Sequence, residues 1–222
     1  MKVTHEDQEY LRSLLWLNVK YQETYNEVYD HVLTAIEEQP DTNVSKPQAF
    51  DAIINSDFGG IGTLAQLEAE RAKIVSSNIR KKQWQYQLSY FKLPLLLFTV
   101  LLAGSMYYAA DAISRKTILI IVLSVGFSPT IIVALRGMIR FFNRKHQKPS
   151  IKDKVIEQIG CLSMSLFNLF IFLPPLFVSD DNYMFFKQAH ASLIAVTALF
   201  FFIYSLSFIR VYRDEFKMQL AS

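Results

Sequence analysis

The residues able to do chemistry in this chain are few and dispersed. Glu27, Asp30 and His31 share one polar stretch, and a carboxylate beside an imidazole invites an acid–base reading. Helical geometry argues against it. Neighbouring residues on a helix point about 100° apart, so Asp30 and His31 do not converge on one reacting atom. Glu27 and His31 are one turn apart and are expected to pair on the helix surface. A metal would need a further ligand, and His5, His146 and His190 are scattered. Gly59-Gly60-Ile61-Gly62 has the glycine density of a phosphate-binding turn, but no Lys-Ser/Thr follows it and dinucleotide spacing is missing. The single cysteine, Cys161, excludes an intrachain disulfide; it lies in an apolar run and is expected to be a small buried hydrophobe. Neither a Gly-x-Ser-x-Gly nor a His-Glu-x-x-His motif occurs. The pattern points to binding rather than catalysis, with no cofactor and no metal expected.

Two polar residues stand in or beside apolar runs. A carboxylate at a bilayer centre costs roughly 2.5–3.5 kcal/mol. Glu157 is near the start of such a run, with Lys152 and Lys154 close in sequence, and is expected at the membrane surface. Asn168 lies deeper and is expected to hydrogen-bond another helix, for about 1 kcal/mol or less.

The elements that position these residues fall into two classes. Residues 1–92 are polar and mixed in charge, whereas 93–209 contain long uncharged runs at about 93–110, 117–135, 158–178 and 188–209. Each is near the roughly 20 residues a helix needs to cross a bilayer. Hydrophobic residues form 51% of the chain, including 18 Phe, more than a water-soluble domain of this size ordinarily carries. The expectation is an all-α protein: a small cytoplasmic helical head (1–80), an interfacial basic and aromatic linker (81–92), four transmembrane helices (93–209) and a tail (210–222). A net charge of +3 is too small to imply a nucleic-acid partner. Arg80, Lys81, Lys82 and Lys92, interleaved with Trp84, Tyr86, Tyr90 and Phe91, fit the membrane interface better.

Orientation follows from the loops. Residues 136–154 hold seven Lys or Arg, among them Arg136, Arg140, Arg144 and Lys145, against the single acid Asp153. The short loops at 111–116 and 179–187 carry two basic residues and one, respectively. Positive charge is retained on the cytoplasmic side. The head, the basic middle loop and the tail are therefore expected there, in a bacterial cytoplasmic membrane, with Arg136, Arg140, Arg144 and Lys145 setting topology and facing lipid. That places the loop beside the head, where it is expected to touch either the acidic face of the second helix (Glu23, Glu27, Asp30 and Glu37) or anionic lipid, through charges such as Arg140, Arg144 and Lys145.

Within the head, Thr4 and Asp7 are expected to cap a helix running to about Leu17. A second, from near Val19, has Tyr21, Tyr25, Val28, Tyr29, Val32, Leu33 and Ile36 on one stripe and Glu23, Glu27, Asp30, Thr34 and Glu37 opposite, ending at Pro40 and Asp41. Ser45 with Gln48 predicts a capping box for a third, with Phe50, Ile53 and Ile54 inward. Glycines at 59, 60 and 62 break it. Thr63 with Gln66 predicts the cap of a fourth helix. It has no Gly or Pro through residue 89, so one long helix, or two nearly continuous ones, is expected to lead into the membrane.

The stretch Tyr25-Asn-Glu-Val-Tyr-Asp-His31, with Ile36-Glu37-Glu38, Asp57-Phe-Gly-Gly60 and Thr63-Leu-Ala-Gln-Leu67, resembles the HAAS-type domain. More closely, it resembles the heads of small bacterial membrane proteins, many from Bacteroidetes, often encoded beside PadR-like regulators. The resemblance covers about residues 5–80 and implies a helical, non-catalytic interaction head. Its candidate surface is Glu27, Asp30, His31, Phe58, Gly59 and Gly60. The expected function is that of a membrane-anchored regulatory or adaptor protein, with the bilayer and a cytosolic or membrane protein as partners. The alternative is an accessory subunit of a transporter or channel, for which Asn168 and Glu157 are the hints.

Overall fold

A computed structural model describes residues 3–38, 45–143, 148–168 and 189–217. Among them are eight helices and no strand: α1 His5–Asn18, α2 Gln22–Glu38, α3 Lys46–Phe58, α4 Ile61–Ser89, α5 Leu95–Ala112, α6 Arg115–Asn143, α7 Ile151–Phe167 and α8 Ala191–Lys217. The chain divides into two compact units. One is Met1–Ser77 with His146–Lys154; the other is Asn78–Lys145 with Val155–Ser222. The head therefore includes part of the basic middle loop.

The head unit packs α1, α2 and α3 against one another. Its core is Leu11, Leu15, Val28, Val32, Ile36, Phe50, Ile53, Ile54 and Leu64, with Tyr25, Tyr29 and Leu33 against its edge. The expected acidic face of α2 is exposed at Glu23, Glu27, Asp30, Thr34 and Glu37. Thr4 forms a capping box with Asp7. Other boundaries differ from expectation. Val19 is extended and closes α1, so α2 begins only at Gln22. Ser45 makes no side-chain cap bond; the start of α3 is held by Lys46, whose Nζ donates to Asp7 at 2.6 Å. Gly59 ends α3 with φ 69° and Gly60 follows with φ 90°, backbone that side chains disfavour. The Gly60 carbonyl accepts from Leu64 N–H, so α4 starts at Ile61, and Thr63 donates its hydroxyl back to the Gly59 carbonyl instead of capping the helix. The expected end of α2 at Pro40 and Asp41 lies outside the described residues.

α4 is one unbroken helix from Ile61 to Ser89, but it does not run on into the next helix. It ends at Ser89, and Tyr90, Phe91 and Lys92 N–H groups close tighter turns on Gln87, Leu88 and Ser89 carbonyls. Pro94 has no N–H and disfavours helix at Leu93, so α5 starts afresh at Leu95.

In the second unit, α8 packs on α5 and α6. The helices at Leu95–Ala112, Lys116–Phe142 and Ala191–Phe216 are long and apolar enough to cross a membrane. α5 turns Leu97, Leu101 and Tyr108 outward, as a lipid-facing helix does. The third expected span is described only as far as residue 168; its remainder lies outside the described residues. Pro129 sits inside α6 and cannot donate to the Val125 carbonyl four residues back. Ser205 of α8 and Ser128 donate to that carbonyl instead, at 2.8 and 2.7 Å. Gly160 of α7 allows close approach of its neighbours: an added Cβ would lie 2.5 Å from Val133 Cγ2 and 3.2 Å from the Pro129 carbonyl. Cys161, one position on, is exposed rather than buried, because Ile156, Ile159, Gly160 and Ser163 form the inward face of α7.

Candidate functional site

The head's densest polar contacts gather at the N-terminus of α2. The first N–H groups of a helix lack intrahelical partners and favour negative charge. Here a carboxylate from another helix supplies it. Glu68 of α4 is 6% exposed and accepts from Lys20 N–H at 3.0 Å and Tyr21 N–H at 2.7 Å. α2 repeats the device toward α7: Glu23, in its first turn, accepts from Ser150 Oγ and from Ile151 N–H at 3.2 Å. Thus α4 caps α2, and α2 caps α7.

The loop segment before α7 is bound to the same place. Gln22 N–H donates to the Pro149 carbonyl at 3.2 Å, and Lys148 N–H donates to Gln22 Oε1 at 2.8 Å. Lys148 Nζ donates to the Trp16 carbonyl at 2.7 Å and lies 4.3 Å from the Trp16 ring centre. Burial of this ammonium lowers its pKa, partly opposed by the charge of Glu68. Trp16 meets Tyr25 edge-on, Tyr25 stacks on Tyr29, and Arg12 lies 5.5 Å from the Tyr29 ring. The aromatic row thus carries a cation at each end.

The predicted surface residues are brought together in part. His31 Nε2 lies 2.8 Å from Asp57 Oδ2, and its ring meets Phe58 edge-on at 5.2 Å, next to Gly59 and Gly60. The expected Glu27–His31 pair does not form. Arg71 of α4 takes Glu27 with both guanidinium arms, one at 2.7 Å, a planar match that an imidazole does not offer. This bond holds the Glu27 carboxyl below its ordinary range, and the bond from His31 does the same for Asp57. Asp30 is exposed nearby on α2.

The expected intramembrane polar residues are not where the second unit makes its interhelical bonds. Glu157 and Asn168 are both exposed. Hydroxyls carry the contacts: Tyr204 donates to the Ile159 carbonyl at 2.6 Å, and Thr130 to the Gly160 carbonyl at 3.0 Å. Asn168 is exposed, whereas hydroxyls within one turn of Gly160 and Pro129 sit at close helix approaches. A glycine or proline next to Ser or Thr in an apolar run is the signal that could have found them. For Glu68 the signal is an acid four residues after the core position Leu64, on the same helix face.

Of the basic loop residues, Arg136 lies 3.5 Å from the Phe216 ring centre and Arg140 is part-buried. Arg144 and Lys145 lie outside the described residues. The segment before α7 meets Glu23 through Ser150 and the Ile151 amide, a contact of neutral donors rather than the charged one expected of Arg144 and Lys145. α8 continues beyond its apolar run to Lys217, where Glu215 pairs with Lys82, Asp214 accepts from Tyr86, and Arg210 lies 5.0 Å from the Tyr90 ring. These polar and aromatic contacts hold the basic part of α4. No family model, curated protein or solved structure matches this chain.

Proposed function

We propose that this chain is a membrane-anchored regulatory or adaptor protein of the bacterial inner membrane. In this reading it crosses the bilayer four times, with head, middle loop and C-terminus in the cytoplasm. The fourth crossing required by that topology is the segment 158–178. The lysine and arginine distribution supports the orientation, and the resemblance of the head to the HAAS-type domain supports an interaction role. The partner is a cytosolic regulator or membrane protein that engages Glu27, Asp30, His31, Phe58 and the Gly59–Gly60 turn.

The observation that carries this reading is the membership of His146–Lys154 in the head unit. A head that merely hung from an anchor would not need the inter-span loop for its own fold. Because Glu23 holds the first amide of α7, a partner that moved α2 would act on the start of a span. Such coupling requires only that the partner bind two arrangements of α2 with different affinity.

The test is crosslinking and affinity purification of the full chain from native membranes, in parallel with a His31→Ala/Phe58→Ala variant. His31 is exposed and Phe58 packs on the edge of the head core, so circular dichroism of the variant checks that its helical content is retained. The reading predicts a co-purifying protein whose recovery falls about tenfold in the variant, as loss of a central aromatic contact does. Equal recovery of every crosslinked protein from both forms would refute it.

A further inference from the structure

The second unit contains a cleft of about 410 Å³ between α4, α7 and α8 that the adaptor role does not use. Its volume is in the range of small-ligand sites. Its walls differ. α4 contributes Arg80, Gln83, Trp84 and Gln87, spaced by three and four so that they share one face. α7 adds Gln158, Leu162 and Leu166, and α8 adds Phe200. The lining is mostly apolar, with one cation, Arg80, and the amides of Gln87 and Gln158 among it.

Charge identifies the occupant. Lys82, two residues after Arg80, is paired with Glu215. Arg80 is exposed at the cleft and has no carboxylate partner among the described residues. An unpaired guanidinium with flanking amide donors suits a phosphate, which accepts several hydrogen bonds at once. The apolar lining suits a chain of methylenes, and Trp84, 61% exposed, is the residue type that settles at headgroup depth. We propose that the cleft binds one anionic glycerophospholipid, with its phosphate at Arg80, Gln87 and Gln158 and an acyl chain along Leu162, Leu166 and Phe200. Occupancy would bridge α4, the helix that leaves the head, to α7 and α8.

The inference rests on the reading of the apolar helices as membrane spans. Carbonate extraction of membranes tests that reading separately, and loss of the lipid site would leave extraction unchanged. The site itself is tested by native mass spectrometry of the delipidated full chain. The probes are phosphatidylglycerol, phosphatidylcholine with the same acyl chains, and inorganic phosphate. One phosphatidylglycerol should be retained about tenfold more tightly than phosphatidylcholine. Arg80→Gln should abolish that preference, and Leu162→Trp should reduce retention of both lipids. Should Leu162→Trp lose helical content, Gln158→Glu is used instead and should repel phosphatidylglycerol alone. Equal retention of the two lipids in the unaltered chain, or a preference unchanged by Arg80→Gln, would overturn the proposal. Displacement of phosphatidylglycerol by inorganic phosphate alone would overturn it too, since the site would then be one for free anion.

Discussion

The two units meet the same requirement with different chemistry. Backbone groups that lose their helical partner must find another. In the head they find carboxylates: Asp7 at α1, Glu68 at α2 and Glu23 at α7. In the second unit the Val125 carbonyl, orphaned by Pro129, finds the hydroxyls of Ser205 and Ser128. A carboxylate is the stronger cap, but it is costly to hold in an apolar unit. A hydroxyl is weaker and carries no charge. The contrast extends to packing. The head core is built of branched and aromatic side chains around α1–α3, whereas α7 meets its neighbours through Gly160, the kind of small residue that lets apolar helices approach closely.

The contrast breaks most visibly at Gly160. Gly160→Leu would drive a side chain into Val133 and the Pro129 carbonyl, at a cost of about 3 kcal/mol or more. In detergent the variant should lose its monodisperse peak on size-exclusion chromatography. Next in size is Glu68→Ala, which leaves the Lys20 and Tyr21 amides without their acceptor and should destabilise the head by about 2–3 kcal/mol. The chain has two tryptophans, Trp16 and Trp84, so Trp84→Phe isolates Trp16 as a reporter, and a urea midpoint in that background measures the loss. Smaller still is Ser205→Ala. Ser128 still serves the Val125 carbonyl, so the single change should cost under about 1 kcal/mol, while Ser128→Ala/Ser205→Ala should exceed the sum of the two singles. Additive thermal shifts in detergent would remove the claim that these hydroxyls share one carbonyl.

Acid sharpens the contrast with the smallest effect. Asp7 is pushed up by burial, but the bonds from Lys46 and Thr4 outweigh this and hold its carboxyl below the ordinary range. Glu27 and Asp57 are lowered by Arg71 and His31. A carboxyl lowered in the folded state contributes stability above its unfolded pKa and loses it as pH falls through the folded value. The Trp16 melting temperature should therefore be flat from about pH 7 to pH 5 and fall below about pH 4. The hydroxyl–carbonyl bonds of the second unit do not titrate in this range.

The amphipathic stripe of α2 was readable because Val28, Val32 and Ile36 recur at helical spacing with acids opposite them. The three apolar helices were readable from run length alone. The junction was not, because Glu23 on an acidic face looks like a solvated residue until Ser150 arrives from far along the chain. Glu27 differs from its expected pairing with His31 for the same reason: local spacing names the neighbour on the same helix, and only tertiary structure brings Arg71. Asn168 and Glu157 are strongly polar groups in or beside apolar runs, yet polarity does not indicate which side of a helix faces its neighbours. The small and hydroxyl residues beside Pro129 and Gly160 do so, because close approach demands them.

The segment before α7 belongs to the head unit and is joined to it through Glu23. Hydrogen exchange on the full chain in detergent, with and without Glu23→Ala, tests it most directly. The amide of Ile151 sits at the start of α7 and has the Glu23 carboxylate as its acceptor. Exchange at Ile151 should be at least about tenfold faster in Glu23→Ala, with α5, α6 and α8 unchanged. Identical exchange at Ile151 in both forms would contradict it.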